Sequence, residues 1–284
     1  MEHPDLSSAI EMAACSDTGL ARERNEDAIL VNPRIGLAVV ADGMGGYNAG
    51  EVASSIATAI LGSELEAAFG LRAPHELSNG GQPWARQALL DAIARANAAI
   101  HMAARNNASY AGMGTTLVMI QFFDNRLMVA HVGDSRLYRL RDGALTLMTK
   151  DHSLLQQQVD SGLITAEEAR HSQYKHLVTR ALGVEPSVET EIAEHAVSVG
   201  DLYLLCSDGL NDMVSDAEIA LSLTRLGADL PLCAARLVQA ANEHGGRDNI
   251  SVILAKVKAP FPAARSSCGR IARLRTWFKQ CWKI

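Results

Sequence analysis

Gly36-Leu37-Ala38-Val39-Val40-Ala41-Asp42-Gly43-Met44-Gly45-Gly46 is the stretch on which the reading of this chain turns. Its apolar residues run without interruption and end in a carboxylate followed by glycines, which describes a buried strand with an aspartate at the edge of the core. An Asp-Gly pair after a strand is, taken singly, more often a plain turn. The arrangement recurs in Leu127-Met-Val-Ala-His-Val-Gly133-Asp134 and in Leu202-Tyr-Leu-Leu-Cys-Ser207-Asp208-Gly209. A fourth aspartate, in Gly245-Gly246-Arg247-Asp248-Asn249, stands just before the apolar run 250–257.

Outward from this stretch the pattern predicts strands over 9–16 and 28–32, flanking the polar segment 17–27. Gly43, Gly45 and Gly46 permit a turn in which backbone comes close to whatever occupies the site. A helix then starts at a capping box of Asn48 and Glu51, with Val52, Ile56, Ala59 and Ile60 as its apolar stripe. A second helix opens at Pro83, with Trp84, Ala88, Ile93, Ala96 and Ile100 on one face; residues 70–82 between the two read as a surface loop. Segments 115–123, 126–133, 135–140 and 144–148 read as an antiparallel meander. Residues 151–183 read as a mobile insertion with helical spacing. Strands over 188–197 and 201–207, helices near 215–225 and 230–243, and a last strand over 250–257 complete the body. Strands and helices come in batches rather than alternating, which favours two antiparallel sheets with helices outside them over a doubly wound parallel sheet.

The 284 residues, 48% of them hydrophobic, suffice for one catalytic domain with a substantial core. Residues 260–284 carry six basic side chains and no acid, so the first 259 hold 20 Lys and Arg against 32 Asp and Glu, a balance of −12. So acidic a body argues against nucleic acid as a partner and suits cation binding. The five cysteines, odd in number and without a Cys-x-x-Cys pair, read as reduced thiols. No signal peptide is recognisable and no window has the ~18 apolar residues that span a bilayer. The expectation is a cytoplasmic monomer.

The candidate ligands Asp27, Asp42, Asp134, Asp208 and Asp248, with main-chain carbonyls such as that of Gly43, are all hard oxygen donors. Without imidazole or thiolate at zinc spacing they point to Mg²⁺ or Mn²⁺, and clustered carboxylates need a cation to offset their repulsion. Two such ions ~3.5–4 Å apart share a water, lower its pKa and aim it at a phosphorus centre. A covalent route lacks its parts: no cysteine is followed by arginine at phosphatase-loop spacing, and neither a Gly-x-Ser-x-Gly elbow nor a P-loop is present. Metal-assisted phosphoester hydrolysis is the natural inference.

The ordered set Arg22-x-x-Asn25-Glu26-Asp27, Val40-Ala-Asp42-Gly43-Met44-Gly45-Gly46, Gly114-Thr115-Thr116, Val132-Gly133-Asp134-Ser135-Arg136, Asp151-His152-Ser153, Thr179-Arg180-Ala181-Leu182-Gly183, Cys206-Ser207-Asp208-Gly209-Leu210 and Gly246-Arg247-Asp248-Asn249 closely resembles the bacterial branch of the metal-dependent (PPM, type 2C) Ser/Thr protein phosphatases. The resemblance implies an α+β, four-layer α-β-β-α sandwich with two central antiparallel β-sheets. Residues 1–259 would form the catalytic domain, with a flap at about 150–178. It further implies two Mn²⁺ or Mg²⁺ ions: Asp42 bridging both, the Gly43 carbonyl and a water network held by Glu26 and Asp27 completing one, Asp208 and Asp248 holding the other. Asp134 falls at the position of a third, weaker ion, Arg22 at that of the phosphate clamp, and Asn249 where it would orient a ligand or water. Met44 stands where animal relatives carry a histidine thought to protonate the leaving group, which leaves the general acid open. His131 and His152 lie in neighbouring segments; a packed, hydrogen-bonded role is the more frequent one for a strand histidine such as His131. The flap histidines His152, His171 and His176 are expected mostly to face solvent.

The implied function is hydrolysis of phosphoserine and phosphothreonine in proteins, opposing a bacterial Ser/Thr kinase. The rival is a catalytically inactive, phosphoprotein-binding regulator of the same fold; a changed substrate, such as a small phosphoester, also stays open. In the tail 260–284, Ile271, Leu274, Phe278, Cys281 and Trp282 recur at helical spacing among basic residues. Three readings remain for this amphipathic segment: packing back on the body, an acidic partner protein, or a membrane surface.

Overall fold

The structure, a computed structural model, describes residues 4–46, 48–78, 80–170, 172, 174 and 177–262. The run that opens the sequence analysis becomes strand β3 (Leu37–Met44). Its unbroken apolar character has a direct cause: Leu37, Val39 and Ala41 face a helical layer while Ala38 and Val40 face a second sheet. With no solvated side, every position is apolar, and a fully buried Leu or Val contributes about 1.5–3 kcal/mol relative to an exposed one.

Two sheets stack face to face. One has the order β2 (Asp27–Asn32), β3, β5 (Leu117–Phe123), β6 (Arg126–Val132), β9 (Glu191–Ala196), with the short β4 (Gly114–Thr115) paired to β3. The other has the order β1 (Ile10–Asp17), β11 (Ile250–Val257), β10 (Leu202–Cys206), β7 (Arg136–Arg141), β8 (Ala144–Leu147). All pairings are antiparallel. Helices α1 (Ala49–Leu71) and α2 (Trp84–Asn106) cover the first sheet; α6 (Asp216–Leu226) and α7 (Leu230–Glu243) cover the second. This is the expected α-β-β-α sandwich. Short helices α3 (Leu154–Asp160) and α4 (Ala166–Arg170) lie within the expected flap, and α5 (Asp208–Asn211) follows β10.

Four local expectations change. The meander over 115–148 divides between the sheets: β5 and β6 stay in one, β7 and β8 join the other. The chain crosses at Gly133, whose φ of +103 and whose closeness to Thr116, 2.7 Å from a would-be Cβ, suit glycine. At the start of α1, Asn48 makes no side-chain cap bond; the capping box is formed instead by Ser215 and Glu218 at α6. The buried face of α1 is Ala53, Ala57, Leu61, Leu65 and Phe69, with Val52, Ile56 and Ile60 half-buried on its flank and Ala59 exposed. Small residues face the sheet because the helix lies close against β3. Finally, α1 is, among the described residues, one helix long and apolar enough by composition to cross a membrane, where the sequence reading found no such window. In this fold it is a core helix packed on β3 and α2. The tail residues Ile271, Leu274, Phe278, Cys281 and Trp282, with His171 and His176, lie outside the described residues.

Candidate active site at the sheet ends

Antiparallel pairing of β2 with β3 sets Asp27 opposite Asp42. The main chain of Asp42 is fixed by the Thr115-Thr116 pair. Its N–H donates to Thr116 Oγ1 (3.1 Å), and its carbonyl accepts from Thr116 N–H (2.8 Å) and Thr115 Oγ1 (2.9 Å). Thr116 Oγ1 in turn shares a 2.7 Å hydrogen bond with Ser135 Oγ, beside Asp134. At Gly43 the backbone of α1 comes so close that a Cβ would meet Gly50 O at 2.1 Å and Glu26 O at 2.6 Å. The other sheet delivers Asp208 after β10 and Asp248 before β11. These segments abut where a Cβ on Gly209 would lie 2.0 Å from Asn249 O.

The five aspartates lie close enough to act on one another's charge. Burial pushes Asp27 up to about 7, with Asp208 and Asp248 adding to the rise and hydrogen bonds from Ser251 and Ser207 opposing it. Burial likewise raises Asp134 to about 8, reinforced by Asp208 and Asp151. Asp42 is held well above the usual carboxylate range by burial and then by Asp27, Asp208, Asp134 and Asp248. Glu26, on the approach to the site, is raised by burial against the pull of Arg22. The guanidinium of Arg22 donates to Asp248 Oδ2 at 2.7 Å and its side chain is about half exposed, so it reaches the site from the solvent side.

Asp27 Oδ2 accepts from Ser207 Oγ at 2.8 Å, whereas Asp27 Oδ1 is buried with no hydrogen-bond partner among the described residues. Such an atom is costly unless something else satisfies it. Several carboxylates with raised pKa values around a buried, unsatisfied oxygen make an environment suited to a hard cation. A groove of about 840 Å³ opens from Asp134 and Asp208 along Ser153, Leu155 and Val159 on the flap side and Met213 and Val214 on the other.

A sequence model described as protein phosphatase 2C matches residues 21–249. The chain belongs to the protein phosphatase 2C family. It is 43% identical over 251 residues to the serine/threonine protein phosphatase PstP of Mycobacterium tuberculosis, covering 87% of this chain and 45% of that protein. The chain thus spans about half the length of that relative. It is 35% identical over 242 residues to the serine/threonine phosphatase stp of Listeria innocua, covering 84% of this chain and 92% of that one. Among solved structures, the catalytic domain of PstP in complex with two manganese ions superposes with a TM-score of 0.76 at 40% identity, covering 88% of this chain and 99% of that one.

Other residues of this phosphatase 2C chain fall into place by their contacts. His131 is buried, hydrogen-bonded to Lys150 O at 2.9 Å, and stacked on His152 with ring centroids 4.7 Å apart. His152 is also buried, unlike the solvent-facing flap histidine expected. With Glu191 the two bring possible ligand atoms within 4.8 Å of one another. The Gly133 N–H donates to His152 Nδ1 at 3.1 Å, however, so a metal on Nε2 would require an imidazolate. The trio is better described as the hydrogen-bonded root of the flap. Asn249 directs its side chain to the backbone of residues 18–26. Sequence reasoning gave no role to Ser207, Ser251, Ser16 and Ser54. Ser207 at least sits in a quoted motif; the others carry no sequence signal.

Proposed function

We propose that this chain is a metal-dependent phosphatase that hydrolyses phosphoserine and phosphothreonine of proteins. The observation that carries the reading is the convergence of Asp27, Asp42, Asp134, Asp208 and Asp248, with the buried Asp27 Oδ1 unsatisfied, beside the exposed guanidinium of Arg22. Asp42 and the Gly43 carbonyl, with Glu26 and Asp27 nearby, are the residues that would hold one divalent ion; Asp42, Asp208 and Asp248 would hold a second. Asp134 would hold a third. Mn²⁺ or Mg²⁺ so held supplies charge neutralisation for the phosphoryl oxygens and lowers the pKa of a water.

Arg22 offers two parallel N–H donors to the phosphate, which orients it for in-line attack. Ser207 holds Asp27 Oδ2, which would leave Oδ1 to accept from the water network of a bound ion. Met44 brings no proton donor, so the leaving alkoxide takes its proton from water. The groove of about 840 Å³ beside Asp134 and Asp208 has room for more than a free phosphate, which suits residues flanking a phosphorylated side chain. Residues 1–259 form the catalytic domain with the segment 150–178 as its flap; the chain acts as a cytoplasmic monomer opposite a Ser/Thr kinase. Of the basic tail 260–284, Phe261 packs into the core; for the remainder, packing back on the body, an acidic partner and a membrane surface are the three readings.

The test is hydrolysis of a phosphothreonine peptide and of p-nitrophenyl phosphate with Mn²⁺, with Mg²⁺ and with EDTA, comparing the native chain with Asp208→Asn. Metal-dependent release that falls to background in Asp208→Asn is expected. No release from a native chain that binds Mn²⁺ would overturn the reading in favour of the inactive regulator.

A further inference from the structure

We propose that Asn249 is a positioning residue that holds the Arg22-bearing loop in its phosphate-binding shape, an inference that rests on the phosphatase reading above. The loop 18–26 joins β1 at the edge of one sheet to β2 at the edge of the other. It contains no regular structure, so its backbone groups need partners from outside the segment.

One side chain supplies three of them. Asn249 Nδ2 donates to Thr18 O at 2.9 Å and to Arg24 O at 2.8 Å, while Asn249 Oδ1 accepts from Glu26 N–H at 2.7 Å. The same loop is pinned on the near side of Arg22 by Gly246 O, which accepts from Leu20 N–H at 2.7 Å and Ala21 N–H at 3.1 Å. Arg22 therefore sits between two anchored pairs of residues while its own side chain reaches the site and donates to Asp248 Oδ2 at 2.7 Å. The base is firm: Asn249 is buried at the start of β11, and its N–H donates to Asp248 Oδ1 at 2.8 Å.

The chemistry selects a carboxamide of this length. Two carbonyls and one N–H must be met from one point, which requires two donors and one acceptor; aspartate offers no donor, and serine or threonine offers one. The polar atoms of the Asn249 side chain are engaged by loop backbone. Its effect on catalysis passes through the loop, and a displacement of Arg22 by about 1 Å is enough to cost an order of magnitude or more.

A double-mutant cycle with Arg22→Ala, Asn249→Ala and the pair, assayed at saturating Mn²⁺ on a phosphothreonine peptide, tests this, with competitive inhibition by inorganic phosphate as a second readout. Each single variant is expected to raise KM and the phosphate inhibition constant about tenfold, and the pair is expected to match Arg22→Ala alone. If Asn249 merely stabilised the fold, its effect would multiply with that of Arg22 or leave KM unchanged; either result overturns the inference. If Arg22→Ala itself leaves both constants unchanged, the phosphate-clamp reading of Arg22 fails, and this inference with it. Should Asn249→Ala not fold, Asn249→Asp keeps the size and the acceptor, lacks both donors, and carries the same expectation.

Discussion

Stripped of divalent metal, this protein is expected to lose stability as pH rises from 5 to 7, the reverse of ordinary acid unfolding. In the folded chain Asp27 titrates at about 7 and Asp134 at about 8, and Asp42 is raised well above its reference of 3.8. In that window the folded state holds protons that the unfolded chain has released, so unfolding gives protons up and alkaline conditions favour it. The contribution is fully present below about 3.8 and is lost as pH passes through 7 to 8. Each retained proton is worth about 1.4 kcal/mol per pH unit. Because the carboxylates raise one another, one proton per cluster is the conservative count, giving about 3 kcal/mol between pH 5 and 7. For a domain of this size that is about 6–12 °C in Tm. His152 and His195 work in the opposite direction: burial lowers both, so the unfolded chain binds their protons below 6.5. The assay is therefore the difference in Tm between Mn²⁺-saturated and EDTA-treated protein, in which the histidine contributions cancel. The difference should widen by that amount from pH 5 to 7, and less so in Asp27→Asn. A difference that stays constant across this range refutes the argument that the carboxylates hold protons when no cation is bound.

Gly43→Ala places a methyl 2.1 Å from Gly50 O, so α1 must shift off β3; a loss of about 2–4 kcal/mol and of Mn²⁺ binding is expected by thermal melts and calorimetry. Gly70→Ala is the control, since its Cβ meets nothing within 4 Å and alanine favours the helix by about 1 kcal/mol. For the tail, six basic side chains at about 1 kcal/mol each near an anionic surface predict co-sedimentation of the full chain with phosphatidylserine vesicles, lost on deletion of 263–284. A full chain that stays in the supernatant rules out the membrane contact.

The strands were legible because most are covered on both faces, so composition alone marks them; β3, β5 and β11 match their apolar runs to within about two residues. Which sheet a strand joins was not legible: segments 126–133 and 135–140 read as successive strands of one meander, and the chain in fact crosses between layers at Gly133-Asp134. The face of α1 was misread for a related reason. Ala53, Ala57 and Ser54 are weakly hydrophobic, and what places them inward is the closeness of helix to strand at Gly43 and Gly50, a tertiary fact. At the site, the aspartates stood out because each ends or precedes an apolar run. The hydroxyls that bond them did not, since Ser251 and Ser207 meet only when β10 and β11 pair and Ser207 Oγ accepts from Ser251 N–H at 2.9 Å.

The two ends of the sandwich are closed by opposite means. At the end away from the aspartates, Phe122 of one sheet packs edge-on against Tyr203 of the other, with centroids 5.6 Å apart, and against Phe261 at 5.7 Å. Apolar contact holds the sheets together there, joined by the hydrogen bond from Arg141 Nη2 of one sheet to Ala196 O of the other at 3.1 Å. At the other end Asp42 and Asp27 come from one sheet, Asp208 and Asp248 from its partner, and Asp134 from the crossing between them. Like charges on facing edges push the sheets apart, and that repulsion adds to the larger effect of burial in raising Asp27, Asp42 and Asp134. A divalent cation between them would replace the repulsion with shared coordination across the gap. The same residues would then close the fold and build the reaction centre, which is why stability and metal affinity are expected to change together with pH.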